Sequence, residues 1–235
     1  MKSPLPPFTG FSHEMTQFFI ELKHNNTREW FEKNKPRYIK YIKTPAQQFL
    51  QDMAERLVYL SPYITADPRR SIFRIHRDSR FAKNKAPYKE WLSLFFWEGP
   101  FAKNENPGFF ISISVDQLSI GAGNYSMPRE VLEKFREEIT GPRANEFTKI
   151  VKNLKKKGYE ISGKHYKRYP RGFSADDKNS EFLLYNSCFI MKKEELSELV
   201  YSADLIDYCM EKYSDCLELH KWLVELGKMA QTDKK

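Results

Sequence analysis

The spacing of apolar residues changes along this chain, and that change constrains the fold more than any other feature of the sequence. Apolar residues recur three and four positions apart over residues 11–60, which predicts helices. Between residues 72 and 120 they alternate instead, which predicts strands. Helical spacing returns over residues 127–157 and 205–226. Helices at both ends and strands between them predict an α+β fold with a mainly antiparallel central sheet flanked by N- and C-terminal helices.

Capping residues predict where the N-terminal helices begin. Ser12 precedes the first apolar stripe as an N-cap, and Thr27 opens a second helix that Pro36 should kink or restart. Thr44 is expected to cap a third helix, with Pro45 at its first position.

The middle of the chain predicts short strands at Ile72–Arg77 and Trp91–Trp97, followed by a hairpin. Apolar residues occupy odd positions up to Val115 and even positions from Leu118. A two-residue turn at Asp116-Gln117 would pair Val115 with Leu118 and place both apolar sets on one face of the sheet.

Beyond the hairpin, the sequence predicts further helices, a basic loop over residues 164–178 and a strand over residues 182–191. Neither a repeat nor a flexible linker divides the chain, so residues 1–235 are predicted to form a single domain. Residues 227–235 are expected to be a frayed tail.

Composition limits the class of protein. The chain has 39 Lys and Arg residues against 31 Asp and Glu, a net charge of +8, which suits anionic partners without requiring them. Its three cysteines form no C-x-x-C pair, so neither a disulfide framework nor structural zinc is expected. No apolar run is long enough to cross a membrane, and we expect a cytoplasmic protein without a membrane partner.

Basic residues concentrate between Arg69 and Lys89, where acids are few. A half-buried arginine needs a carboxylate or a bound anion, and Asp78 is the nearest acid to Arg77. Residues 79–88 predict a loop, a common location for functional side chains. The candidate ligand-binding residues are Arg74, Arg77, Asp78, Arg80, Lys85 and Tyr88, with Arg168 and Arg171 of the later basic loop as additions.

This segment resembles a signature, R-x-x-R-D-x-R-F-x-x-x-K-x-x-Y, of a bacterial and fungal family known as domain of unknown function 2461. All seven fixed positions match between Arg74 and Tyr88. The resemblance extends to residues 25–31, 121–123 and 168–173, and departs from the family pattern at His76 and Ala82. It implies no known activity.

Three interpretations of the basic segment remain open. The first is a pocket in which arginines bind an anionic, phosphate-bearing small molecule, with Asp78 orienting an arginine and Tyr88 donating a hydrogen bond. The second is a broad basic surface that binds nucleic acid. The third is a structural network of arginines and Asp78 with no ligand.

The five histidines lack metal-ligand spacing, so no metal is expected, and no catalytic cluster is visible. The sequence determines neither a cofactor, nor an oligomeric state, nor whether the protein is an enzyme.

Overall fold

A computed structural model describes residues 5–78 and 86–232. The fold is α+β, with one five-stranded antiparallel sheet in the order β1-β2-β3-β5-β4, which confirms the predicted class. The strands are β1 Leu92–Trp97, β2 Pro107–Ile113, β3 Gln117–Asn124, β4 Glu160–Lys164 and β5 Tyr185–Glu195. The helices are α1 His13–His24, α2 Arg28–Tyr38, α3 Thr44–Leu57, α4 Arg129–Thr140, α5 Ala144–Lys156, α6 Leu205–Asp215 and α7 Leu217–Thr232. Within the described residues, no helix is both long and apolar enough to span a bilayer.

Internal contacts divide the chain into two compact units. Unit 1 contains Met1–Phe96, Phe110–Ile120 and Lys193–Glu211, and unit 2 contains Trp97–Phe109, Gly121–Lys192 and Lys212–Lys235.

The core of unit 1 contains the apolar faces of α1 and α3. Met15, Phe18 and Leu22 of α1 are completely buried, as the helical spacing predicts. Phe49 of α3 is also fully buried and packs edge-on against Phe8 at 5.2 Å between ring centroids.

Helix α2 begins where the sequence predicts but does not end there. The side chain of Thr27 accepts a hydrogen bond from the backbone N–H of Trp30, so Thr27 is the N-cap. The helix continues through Pro36 and then widens into a π-helical turn, Ile39–Lys43, which leads directly into α3. Thr44 has helical backbone angles (φ −66°, ψ −50°), so the prediction that it caps a new helix is wrong. The chain is already helical before Thr44, so no helix starts there.

The predicted strand Ile72–Arg77 is an extended segment that pairs with β1 and the residues before it only at isolated positions. Ile72 bridges to Leu94, and His76 bridges to Tyr88. The two bridges are four positions apart on one segment and six positions apart on the other. The register therefore shifts between them, and a continuous ladder cannot form.

The predicted hairpin exists, with its turn one residue earlier than expected. The backbone N–H of Ser114 donates to the carbonyl of Gln117, which leaves Val115-Asp116 as the two-residue loop. The Ser114 hydroxyl also donates to the Asp116 carboxylate at 2.8 Å and stabilises this turn. Compared with the prediction, the cross-strand partner of each residue changes by two positions. An even change keeps the apolar side chains on one face, and Ile111, Ile113, Leu118 and Ile120 are buried there.

Unit 2 contains two differences from the sequence prediction. Strand β4, which pairs antiparallel with β5, is not predicted by the sequence, and it includes Lys164, the first residue of the predicted basic loop. The predicted strand 182–191 begins only at Tyr185, because Ser180–Leu184 forms a 3₁₀ turn. Asn179 precedes that turn with a positive φ of 54°.

Helices α4 and α5 both lie within residues 127–157, where the helical spacing predicts helices. The C-terminal helical region divides at Cys216 into α6 and α7. The predicted frayed tail starts within α7, which continues to Thr232, and Ala230 in it is buried.

Candidate functional site: a basic segment of unit 1

Two extended segments of unit 1 position the first half of the candidate motif. The backbone N–H of Arg77 donates to the carbonyl of Pro87, and that of Lys89 donates to the carbonyl of Ile75. Side chains alternate along each segment, so Arg77 and Lys89 lie on the same face of the pair.

Each of these two cations lies over an aromatic ring. The Lys89 ammonium is 5.4 Å from the centroid of Phe73, and the Arg77 guanidinium is 5.4 Å from the ring of Trp91. All four side chains are half-buried. We use the name motif face for this set together with Arg74, which alternation puts on the other side of the segment but whose charge acts on Lys89.

The positive charges of the motif face affect one another. Burial lowers the pKa of Lys89, and the neighbouring charges of Arg74 and Arg77 lower it further. Arg74 and Arg77 therefore lie close enough to Lys89 to disfavour its charge, and an anion beside them would stabilise that charge.

The acid beside Arg77 is Glu90, which the sequence reasoning did not consider. A guanidinium nitrogen of Arg77 lies 3.9 Å from the Glu90 carboxylate, too far for a hydrogen bond. Within the described residues, the buried Nε of Arg77 has no hydrogen-bond partner. Asp78, the predicted partner, is exposed.

Asn26 connects the motif to the start of α2. Its side-chain amide accepts from the backbone N–H of Tyr88 and donates to the Tyr88 carbonyl, at 3.0 and 3.1 Å. The same amide donates to Glu90 at 3.1 Å. Asn26 therefore satisfies both backbone groups of Tyr88 and orients the carboxylate that faces Arg77.

Tyr88 is almost completely buried. Its ring stacks on Phe31 at 4.2 Å between centroids, and its residual exposure is 2%. Burial raises the pKa of the Tyr88 phenol, and the charge of Glu32 adds to that effect. Packing is therefore the observed role of Tyr88, and hydrogen bonding to a ligand remains a prediction.

The structure locates the remaining candidates only in part. Arg74 is exposed in unit 1, and Arg168 and Arg171 are exposed in the unit 2 loop that follows β4. Arg80 and Lys85 lie outside the described residues.

The structure adds Asn26, Glu90, Lys89 and Trp91 to the candidates that the sequence identified. Alternation was the available signal for two of them, because Lys89 and Trp91 are spaced like Phe73, Ile75 and Arg77 on the opposing segment. The role of Asn26 depends on a contact 62 residues away, which no local pattern encodes.

A comparison with protein-family models identifies the family of this chain. Residues 14–222 match the model described as a conserved hypothetical protein, DUF2461. The chain belongs to this family. No curated protein matched the sequence.

The DUF2461 match includes the N-terminal segment around Asn26, the basic motif and the loop with Arg168 and Arg171. It also includes Gly121 and Gly123 of strand β3. A Cβ at Gly121 would lie 1.9 Å from the carbonyl oxygen of Ile190, so this glycine permits close approach of the β3 and β5 backbones.

Metal and thiol chemistry receive no support from the described part of this DUF2461 protein. Among those residues, no group of three or more potential ligands could hold a metal ion. Burial raises the pKa of Cys188 and of Cys216 to about 12, and raises that of Cys209 as well, so these thiols are poor nucleophiles at neutral pH.

Proposed function

We propose that this DUF2461 protein binds an anionic, phosphate-bearing ligand through the motif face. The observation that carries the proposal is the grouping of Arg74, Arg77 and Lys89 on paired segments, with an unpartnered guanidinium Nε among the described residues. Arg80 and Lys85 follow in the same segment and would add two further cations. Reaction chemistry is not part of the proposal.

The aromatic rings beneath the cations support this role. An arginine or lysine that lies over a ring uses the ring face and keeps its N–H groups directed to other partners. Arg77 and Lys89 are therefore held in place while their donors can contact phosphate oxygens, for which arginine has the matching forked geometry.

Nucleic acid is the second candidate, and the same rings favour it. Phe73 and Trp91 are only half-buried among the cations, and aromatic rings beside basic residues can stack on unpaired bases. A surface that neutralises about four phosphates would lose roughly a hundredfold in affinity between about 50 and 200 mM salt.

The structural interpretation also has an observation in its favour. Arg77 contacts Glu90, which Asn26 orients, so Arg77 contributes to a local network. Arg74 separates the two roles, because it is exposed and its removal should not disturb that network.

The test is a thermal-shift screen of wild type, Arg74→Ala, Arg77→Ala and Arg80→Ala at two salt concentrations. The probes are inorganic phosphate, pyrophosphate, sugar phosphates, nucleotides, sulfate and short oligonucleotides. Lys152→Ala, which removes an exposed charge from α5 in unit 2 and belongs to no candidate site, is the matched control. A ligand at a hundredfold excess over its Kd should stabilise the native state by about 2.7 kcal/mol.

We expect one small phosphate compound to stabilise wild type and Lys152→Ala, and to stabilise Arg74→Ala and Arg80→Ala less. Stabilisation by oligonucleotides alone, lost at high salt, would replace the small-molecule proposal with nucleic-acid binding. If no probe stabilises wild type and only Arg77→Ala lowers the unliganded Tm, the motif face is structural.

A further inference from the structure

A cavity of about 360 Å³ opens beside the first two turns of α4 in unit 2. Its polar lining comes from Ser126, Arg129, Glu133, Arg136, Tyr166 and Asn186. Met127 and Leu132, both 8% exposed, form its apolar part. The volume is in the range of small-molecule sites, and a few polar groups beside apolar side chains are typical of such sites.

Arg136 is the group in this cavity whose bonding is incomplete. Its guanidinium lies over the Tyr166 ring, 5.1 Å from the centroid. Its Nε is buried and, within the described residues, has no hydrogen-bond partner. The Tyr166 ring carries no charge to neutralise the guanidinium. The two terminal nitrogens of Arg136 also make no hydrogen bond within the described residues and, unlike Nε, are not buried, so they are the donors that a ligand in the cavity can reach.

The charges around the cavity leave Arg136 uncompensated. Glu133 accepts a hydrogen bond from Arg129 at 2.8 Å, and Glu137 lies 3.5 Å from Lys134. In the described part of the chain, no carboxylate lies within 4.0 Å of the Arg136 guanidinium. The acids on this face of α4 are already paired, so the cavity carries a net positive charge.

We propose that this cavity binds a small oxyanion, either a carboxylate or a phosphate monoester, through the edge of Arg136. Two oxygens of the anion accept from the two terminal nitrogens of Arg136, a forked arrangement that arginine makes with both groups. Asn186 and Ser126 supply further polar contacts. Met127 and Leu132 accommodate a small apolar body attached to the anion, and Tyr166 holds the guanidinium plane fixed.

This inference is independent of the motif face. All eight lining residues belong to unit 2, whereas Arg74, Arg77 and Lys89 belong to unit 1. Each site is therefore tested by variants that leave the other unchanged.

The experiment follows backbone amide shifts of residues 126–136 in ¹⁵N-labelled full-length protein. The protein is titrated with benzoate, phenyl phosphate and inorganic phosphate, and with neutral benzamide as the uncharged comparison. The variants are Arg136→Met, which keeps an apolar stem, and Arg136→Lys, which keeps the charge but loses the fork. Lys152→Met removes one exposed positive charge from α5 and is the matched control.

We expect benzoate or phenyl phosphate to shift these amides in wild type and in Lys152→Met. Arg136→Met should weaken binding by about tenfold or more, since a charged hydrogen bond is lost, and Arg136→Lys should weaken it less. Whichever of the two anions binds more tightly identifies the ligand as carboxylate or phosphate.

A variant that fills the cavity without changing its charge guards against misfolding of the arginine variants. Ser126→Trp replaces an exposed residue at the cavity edge and should abolish the shifts while leaving Arg136 in place. If no probe shifts these amides, if benzamide shifts them equally, or if Arg136→Met and Ser126→Trp both bind normally, the proposal is overturned. Loss of phosphate binding in Arg74→Ala, with these shifts retained, would concern the motif face alone.

Discussion

At the scale of single residues, the side chain of Asn26 makes the backbone hydrogen bonds that a neighbouring strand would otherwise make. One side-chain amide satisfies the backbone N–H and C=O of Tyr88 and donates to Glu90. Tyr88 bridges to His76, and the hydrogen bonds on either side join Arg77 to Pro87 and Lys89 to Ile75. The N–H and C=O of Tyr88 therefore point away from that segment and, in the described part of the chain, have no strand beside them. The Asn26 side chain, 62 residues away in sequence, supplies their partners.

Replacement of Asn26 by alanine should lower the free energy of unfolding by about 2–3 kcal/mol, because buried backbone groups of Tyr88 lose their partners. The neighbouring Asn25→Ala removes one exposed bond to the Glu21 carbonyl and should cost less than about 1 kcal/mol. Denaturant unfolding of both variants measures the difference. Equal losses would contradict the assigned role of Asn26.

The sequence identifies the residues of the motif face better than it identifies their partners. Charge density and the family signature mark Arg74 and Arg77 directly. Adjacency in sequence suggests Asp78 as a neutralising acid, and the structure adds Glu90, which approaches Arg77 across two paired segments. Partners of this kind depend on register, and register shifts within this pair.

At the scale of elements, α1 and α2 have similar N-cap residues that behave differently. Thr27 accepts a hydrogen bond from Trp30, whereas Ser12 makes no capping hydrogen bond, and among the described atoms its buried hydroxyl has no partner. The same sequence signal therefore predicts both helix starts, but only one cap contributes a hydrogen bond.

Thr27→Ala should destabilise the protein by about 1 kcal/mol, the usual cost of removing a bonded N-cap. Ser12→Ala should be neutral or stabilising, because its hydroxyl is buried without a bond. Thermal unfolding of the two variants tests this contrast. A larger loss for Ser12→Ala than for Thr27→Ala would show that the caps are assigned wrongly.

Strand β3 depends on glycine where it meets β5. A Cβ at Gly123 would lie 2.3 Å from the Cys188 carbonyl oxygen, and Gly123 has a φ of +147°. Gly172 also has a positive φ, +89°, but nothing lies within 4 Å of its Cβ position.

Gly123→Ala should therefore cost about 1–3 kcal/mol more than Gly172→Ala, because both incur backbone strain and only the first incurs a clash. Chemical denaturation measures the difference. If the two variants lose the same free energy, backbone conformation rather than close approach explains the glycine.

At the scale of the whole molecule, buried thiols link stability to pH. The pKa of Cys188 and of Cys216 is raised by burial to about 12, and that of Cys209 is raised too. In the unfolded chain a cysteine thiol has a pKa of about 8.5. Above that pH the unfolded state binds fewer protons than the folded state, so stability falls as pH rises.

Each thiol should lower the free energy of unfolding by about 1.4 kcal/mol per pH unit above its unfolded pKa. Lys89, whose pKa is lowered on folding, acts in the opposite direction just below about pH 10.5, so the measurement belongs between about pH 7.5 and 9.5. Replacing Cys188 with alanine should reduce this slope, whatever it does to stability at neutral pH. An unchanged slope would mean that the thiol ionises in the folded protein.

The α+β class followed from hydrophobic periodicity, because long helices and alternating strands bury distinct faces. The sequence did not predict the junctions between several of these elements. The short strand β4 is not predicted, because its pattern of Glu, Ile, Ser, Gly and Lys lacks an apolar run. The start at Thr44 was predicted from a Thr-Pro pair that is normal at a helix start, yet here the chain is already helical.

The π-helical turn between α2 and α3 makes this joint a place where chain length can change. Such a turn holds one residue more than an α-turn within an otherwise continuous helix. Deleting one residue within Ile39–Lys43 would let the helix close with ordinary α geometry while both flanking helices keep their buried faces. Elsewhere in a helix, loss of one residue rotates everything beyond it by about 100°. In DUF2461 relatives, single-residue length differences in this helical region are therefore expected at this turn.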